Sequence, residues 1–156
     1  MTCKIPESVL VVIYTPAGLV LLIERADAPG YWQSVTGSRG TTEEPLWETA
    51  RREVAEETGL CATPENLKDW KEARVYEIYP RWRYRYAPGV TQNTEHRFGL
   101  VVPVPVAVTL CPREHVRQVW LPWQEAALQC FSWTNQEALR DLPRHMSVTM
   151  CEEGVG

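Results

Sequence analysis

The chain is poor in the features that mark several protein classes. It has no long hydrophobic run: the early apolar stretch Val9–Tyr14 is far short of a membrane span. That stretch has neither a charged leader nor a small-residue cleavage site, so no export or membrane segment is expected. The cysteines number 5, are scattered and include no C-x-x-C pair, which argues against a disulfide framework or a zinc site and for a reducing, cytoplasmic setting. There is no excess of basic charge, since 16 Lys+Arg face 20 Asp+Glu for a net −4. Nothing global therefore recruits a nucleic acid polymer or an acidic membrane, and an anionic ligand has to be met locally. There is also no internal repeat. At 156 residues, 44% hydrophobic and 23% charged, the chain makes one globular domain but not two.

Within that frame the pattern is α with β on a mixed sheet. Val9–Tyr14 reads as a buried strand, and the turn Thr15–Gly18 returns it through Leu19–Ile23 as a hairpin. Trp32–Thr36 is short and extended. A helix is expected from Pro45, with Leu46, Ala50 and Val54 on one stripe and Gly59 as the stop. Arg74–Tyr79, Trp82–Tyr86, His96–Val102, Val106–Leu110 and Val116–Trp120 read as strands. Pro122 opens a helix, and Thr134-Asn-Gln-Glu137 reads as the capping box of a last one ending near Pro143. The domain is placed at residues 1–143, with a loose tail at 144–156.

The most informative stretch is Arg51-Arg-Glu-Val-Ala-Glu-Glu-Thr-Gly-Leu60. On a helix, Glu53 neighbours both Glu56 and Glu57, so three carboxylates crowd the last turns, where the helix dipole disfavours negative charge. Each like-charge pair costs about 0.2–0.5 kcal/mol, and crowding raises carboxylate pKa values. A hard divalent cation resolves the conflict. The competing reading is a solvated, salt-bridged face, because Arg52 lies four residues from both Glu48 and Glu56.

The ordered string Gly37, Glu44, Arg52-Glu53-Val54, Glu56-Glu57, Gly59-Leu60 resembles the Nudix box, G-x5-E-x7-R-E-U-x-E-E-x-G-U, where U is bulky and apolar. One position departs from it: six residues separate Gly37 from Glu44 where the pattern has five, which places an insertion in the loop 38–43. The resemblance implies an α+β fold, an α/β/α sandwich around a mixed central sheet. It also implies Mg²⁺, with Mn²⁺ as the alternative, on Glu53, Glu56 and Glu57. Arg52 would orient a carboxylate and Glu44 would support it. The reaction implied is water attack on a pyrophosphate linkage, with Glu56 or Glu57 taking the proton.

Outside the box, Leu10–Tyr14, Tyr31–Ser38, Arg85–Thr91 with Asn93-Thr-Glu95, and Glu114-His115 with Trp120-Leu121 are similar to one branch of that family. That branch is the bacterial dihydroneopterin triphosphate pyrophosphatases. It implies release of pyrophosphate from that pterin in folate synthesis, with dATP as a further substrate. By position it places Lys4, Arg25, Thr36, Tyr76, Tyr79, Arg85, Trp133 and Asn135 at the substrate and Glu114 as a further metal carboxylate.

Four of these residues also have an ordinary reading: a solvated terminus for Lys4, an ion pair with Asp27 for Arg25, a core anchor for Trp133, a surface acid for Glu114. His96, His115 and His145 have no ligand spacing, so ordinary roles are expected. Arg81, Arg83 and Arg85 alternate with Trp82, Tyr84 and Tyr86. On an extended chain this gives a basic face and an aromatic one, a pattern open to phosphate and ring binding, to a half-buried strand, or to RNA. A broader nucleoside triphosphate pyrophosphohydrolase and a non-catalytic ligand-binding module are the rival functions. Intact Glu53, Glu56 and Glu57 argue against the module.

Overall fold

A computed structural model describes residues 3–146. The elements run β1 (Glu7–Tyr14), β2 (Leu19–Arg25), β3 (Trp32–Gln33), β4 (Val35–Ser38), α1 (Leu46–Thr58), β5 (Leu67–Glu77), a 3-10 helix (Pro80–Arg85), β6 (Gln92–Val101), β7 (His115–Pro122), α2 (Trp123–Gln129) and α3 (Trp133–Arg140). All seven strands join one mixed sheet with the central order β3-β2-β1-β6-β5. β1 runs parallel to β6 and antiparallel to β4, while β7 lies antiparallel to β2.

Period-two alternation splits the apolar residues of β1 between two cores. Val9, Val11 and Ile13 pack with Ala50 and Val54 of α1 on one face. Leu10, Val12 and Tyr14 pack with Ala126, Ala138 and Leu139 of α2 and α3 on the other. The result is the expected α/β/α sandwich. β1 and β2 pair at Tyr14↔Val20 beside their turn. Farther along, β4 lies on β1 and β3 and β7 lie on β2. The start of β1 and the end of β2 are thereby left to line a cleft.

Four local expectations change. The α1 helix begins one residue late: Pro45 is extended at the cap, with its carbonyl accepting from the Thr49 N–H at 3.0 Å. Ser132, not Thr134, caps α3, its Oγ accepting from the Asn135 N–H at 3.2 Å. Glu137 does not fold back to complete a capping box, because it accepts from the Arg74 and Arg97 guanidiniums at 2.6 and 2.7 Å. Residues 106–110 form no strand. Pro103 and Pro105 lack the N–H donors that a ladder needs. Instead, Gln118 bonds the N–H and carbonyl of Val108 at 2.7 and 2.8 Å, and the Trp120 indole donates to the Val106 carbonyl at 2.8 Å.

The fourth change bears on function. Residues 80–85 are a 3-10 helix rather than an extended strand, with Pro80 at its first turn and the Trp82 N–H donating to the Tyr79 carbonyl at 2.9 Å. In a 3-10 helix the residues at i and i+3 eclipse. Tyr79, Trp82 and Arg85 therefore share a side, and all three line the cleft. Aromatic and basic groups share a face instead of being sorted onto opposite ones.

The loose tail expected from residue 144 is helical at 142–146. Arg144 and His145 each bond Glu72 at 2.9 Å, and His145 stacks on Trp70 at 3.8 Å between ring centroids. Residues 147–156 of that tail lie outside the described residues. No helix among the described residues is long and apolar enough to cross a membrane.

Candidate active site

The cleft has a volume of about 440 Å³ and draws its lining from all seven strands, α1, the 3-10 helix and the start of α3. Its carboxylate end is built by α1. Glu57 is buried at 4% exposure, whereas Glu56 is exposed. Burial pushes the Glu57 carboxyl well above the usual range, and Glu53 and Glu114 push it further, against a backbone hydrogen bond from Thr36. Burial and then Glu56 raise Glu53 to about 7, despite the pull of Arg52.

Arg52 holds this end together. Its Nε and Nη2 donate to the two oxygens of Glu44 at 3.1 and 3.0 Å, while Nη1 donates to Glu53 at 2.9 Å. Such a bidentate fork fixes geometry as well as charge. The Glu44 carboxylate also accepts from the Gly40 N–H at 2.9 Å and the Thr49 hydroxyl at 2.6 Å. These partners, Arg52 foremost, draw its pKa down to about 2. The longer loop is tied down by Arg39, whose guanidinium donates to the Glu44 carbonyl at 2.7 Å. The extra residue therefore leaves Glu44 against Arg52.

Gly37 is required by close approach: a Cβ there would overlap the Glu53 carboxyl. Gly37→Ala is expected to push that flexible side chain aside while the fold survives. Turnover should fall about 100-fold, the usual cost of a misplacement near 1 Å, with little change in melting temperature. Steady-state kinetics and a thermal melt check this, and undiminished turnover would mean that the placement of Glu53 does not matter.

The residues suit a hard cation. Among the described residues, Oε2 of Glu57 is buried without a hydrogen-bond partner. Donor atoms of Glu57, Glu114 and His115 lie within 4.8 Å of one another. Carboxylate oxygens crowded at a low-dielectric site match Mg²⁺ or Mn²⁺ chemistry. His115 was expected to be ordinary. Its neighbourhood with Glu57 is set by β7 lying on β2, which no local spacing reveals. Burial lowers its pKa to about 4, and its Nε2 lies 3.3 Å from the Gln33 amide nitrogen.

Basic groups face the carboxylates. Lys4 lines the cleft with its pKa lowered, first by desolvation and next by Arg85. Arg25 lies at a β-bulge between β2 and β7, a feature that re-aims side chains. It makes the expected ion pair with Asp27, both contacts at 2.8 Å, and also lines the cleft, stacked 4.3 Å from the Trp82 ring. Asp27 takes further bonds from the Trp82 indole at 3.0 Å and Arg85 at 3.4 Å, tying the basic side to the aromatic one.

Tyr79, Trp82 and Phe131 form that aromatic wall, with centroids 5.5 to 5.8 Å apart and Tyr31 behind, 4.8 Å from Phe131. Thr36, Tyr76 and Asn135 also line the cleft. Asn135 is committed to the backbone and hydroxyl of Ser34 at 2.8 and 3.0 Å. Trp133 is a correction. It is 49% exposed and is not among the lining residues, because it stands on the outer side of α3 while Thr134 and Asn135 turn inward. Glu95 and Phe131 line the cleft without having been expected to, each brought in from a distant part of the chain.

Residues 4–142 match the family model described as the NUDIX domain. The chain is 40% identical over 139 residues to the dihydroneopterin triphosphate diphosphatase of Escherichia coli strain K12, covering 87% of this chain and 91% of that protein. It is 38% identical over 143 residues to the Haemophilus influenzae protein of the same name, covering 90% and 89%. The solved E. coli dihydroneopterin triphosphate pyrophosphohydrolase superposes with a TM-score of 0.84 at 39% identity, over 90% of this chain and 97% of that one. A C. elegans Ap4A hydrolase, at 21% identity and TM-score 0.68, shares the fold.

Proposed function

The chain belongs to the Nudix hydrolase family, its NUDIX domain spanning residues 4–142, and from that premise we propose that it cleaves dihydroneopterin triphosphate to the monophosphate and pyrophosphate. The observation that carries this reading is one cleft joining buried carboxylates, basic side chains and an aromatic wall. Each group answers one part of the substrate: metal-bound phosphates, remaining phosphate charge and a flat ring.

In this reading Glu53, Glu56, Glu57 and Glu114 would hold Mg²⁺, with Mn²⁺ as the alternative, and the cation would supply charge neutralisation at the phosphates and a more acidic attacking water. Arg52 keeps Glu53 aimed at the site. Exposed Glu56, or Glu57, accepts the proton as water oxygen bonds to phosphorus and the anhydride P–O bond breaks. Lys4, Arg25 and Arg85 collect the phosphate oxygens that remain, and Tyr79, Trp82 and Phe131 stack the ring and exclude water. Thr36, Tyr76 and Asn135 shape the floor beneath.

A substrate panel with Mg²⁺ tests this: dihydroneopterin triphosphate, each deoxynucleoside triphosphate and ADP-ribose, scored by kcat/KM and by the phosphate product. The expected result is preference for the pterin with pyrophosphate released. Equal rates across the nucleotides would support a broader triphosphate pyrophosphohydrolase instead.

The carboxylates also set a pH dependence. Glu53 is raised to about 7 and Glu57 is raised as well, so the metal-free folded state holds protons that the unfolded chain has released above about 4.5. Their contribution is present below that pH, and it is lost for Glu53 as pH rises through about 7 and for Glu57 as its own raised pKa is passed. His115, lowered to about 4, works the other way as pH falls below its usual 6.5. The clean readout is therefore the rise in Tm on adding Mg²⁺, expected to be small at pH 5 and to grow toward pH 8 as the cation replaces protons. A metal-induced shift that does not vary with pH would count against these carboxylates as ligands.

A further inference from the structure

The floor of the cleft is one face of neighbouring strands. Register sets Ser8 of β1 between Ser38 of β4 and Glu95 of β6, and Asn93 of β6 opposite Tyr76 of β5. Ser8, Ser38, Tyr76 and Glu95 all line the cleft. The Asn93 amide donates to Ser8 Oγ at 2.8 Å and to the Tyr76 hydroxyl at 3.2 Å, so these groups brace one another.

Glu95 is different. It is 5% exposed, and among the described residues its Oε1 is buried with no hydrogen-bond partner. Burial raises its pKa to about 7, against a hydrogen bond from Thr134 and the charge of Arg97, so above pH 7 it stands as a carboxylate. Arg97, on the same face of β6, spends its terminal nitrogens on Asp141 and Glu137 at 3.2 and 2.7 Å. Its Nε has no hydrogen-bond partner among the described residues, and it makes no hydrogen bond to Glu95. A buried acceptor left unmatched is costly, and its presence in a cleft calls for a ligand that brings the donor. It is also distinct from the group formed by Glu57, Glu114 and His115.

A carboxylate accepts side by side from two donors on one ring edge. A 2-amino-4-oxo-pyrimidine ring, as in a pterin or guanine, presents such a pair: an amino group beside a ring N–H. Adenine presents its amino group beside an unprotonated ring nitrogen, which repels a carboxylate. We propose that Glu95 is the ring-recognition residue of the cleft, accepting from the 2-amino group and adjacent ring N–H while the Tyr79, Trp82 and Phe131 wall covers the ring face. This rests on the pyrophosphohydrolase reading above and adds the rule by which the ring is chosen. Adenine nucleotides are then the poorer substrates, with specificity coming from a donor pair they lack.

The first test uses the wild-type enzyme with dGTP and dITP, which differ by the 2-amino group alone. Its kcat/KM should favour dGTP by about 10- to 100-fold, the span of one hydrogen bond to a charged group; equal values would overturn the proposal. In Glu95→Gln that ratio should collapse toward one, and KM for dihydroneopterin triphosphate should rise more than kcat falls. Glu95→Asp should recover part of the preference. A merely structural role would slow every substrate alike and leave the ratio intact, which is the contrary result. Metal-free binding of dihydroneopterin itself, read by quenching of tryptophan fluorescence, separates ring recognition from hydrolysis. Binding weakened by Glu95→Gln supports the role even if the pyrophosphohydrolase reading fails, and binding unchanged by it refutes the role even if that reading holds.

Discussion

Glu57→Gln should lower turnover by about 1000-fold, near 4 kcal/mol in the barrier, while the protein stays folded. The substitution keeps the shape of the side chain and removes its charge. Glu57 is buried, its Oε2 lacks a partner, and Glu53 and Glu114 add repulsion. Such a group favours folding in its neutral form, so an amide in its place should hold or raise the metal-free Tm. The same amide is a weaker ligand for a hard cation, so the Mg²⁺-dependent rise in Tm should disappear with activity. Kinetics and melts on one preparation separate the two effects. Near-normal turnover would remove Glu57 from the metal site.

The largest expected loss of stability lies away from the cleft. Arg97 is fully buried, and its guanidinium donates to Glu137 at 2.7 Å and to Asp141 at 3.2 Å, joining β6 to α3. Arg97→Ala deletes the stem, leaves a cavity and strips a cation from Glu137, Asp141 and, at 3.9 Å, Glu72. A loss of about 3–5 kcal/mol is expected, the range for breaking a buried pair from one side. For a domain of this size that is a fall in Tm of about 10 °C. Arg97→Met refills the volume without the charge and should lose less, since Glu137 retains Arg74 at 2.6 Å. Urea unfolding of both variants at one pH decides this. A loss below about 1 kcal/mol in the alanine variant would show that the network contributes little.

Much of the carboxylate end of the site was legible in the residues because its geometry is local. Glu53, Glu56 and Glu57 share a helix, and helical spacing alone crowds them. Gly37 and Glu44 sit close enough in sequence to α1 for the loop to deliver Gly37 to Glu53 and Glu44 to Arg52, even with an extra residue between. The β1–β2 hairpin was equally readable, since Thr15–Gly18 has turn chemistry and the strands are strongly apolar.

Where local signals competed with tertiary partners, the partners decided. Residues 80–85 alternate like a strand, yet Pro80 and the i+3 hydrogen bonds wind them into a 3-10 helix that puts Trp82 and Arg85 on one side. Glu137 fits a capping box, but the buried Arg97 guanidinium holds it elsewhere.

By itself, then, the sequence determined the mixture of helices and strands on a mixed sheet and the crowding of three carboxylates on one helix. These rest on periodicity and on spacings of three and four residues, while the sandwich followed from the family resemblance. Tertiary structure decided the rest of the cleft's lining. His115 reaches Glu57 through strand pairing, Phe131 reaches Tyr79 across the fold, and Glu95 becomes a buried, unmatched acceptor only when β1, β5 and α3 close over it. Burial sets the charge and hydrogen-bonding needs of a group, and burial is a property of the packed chain.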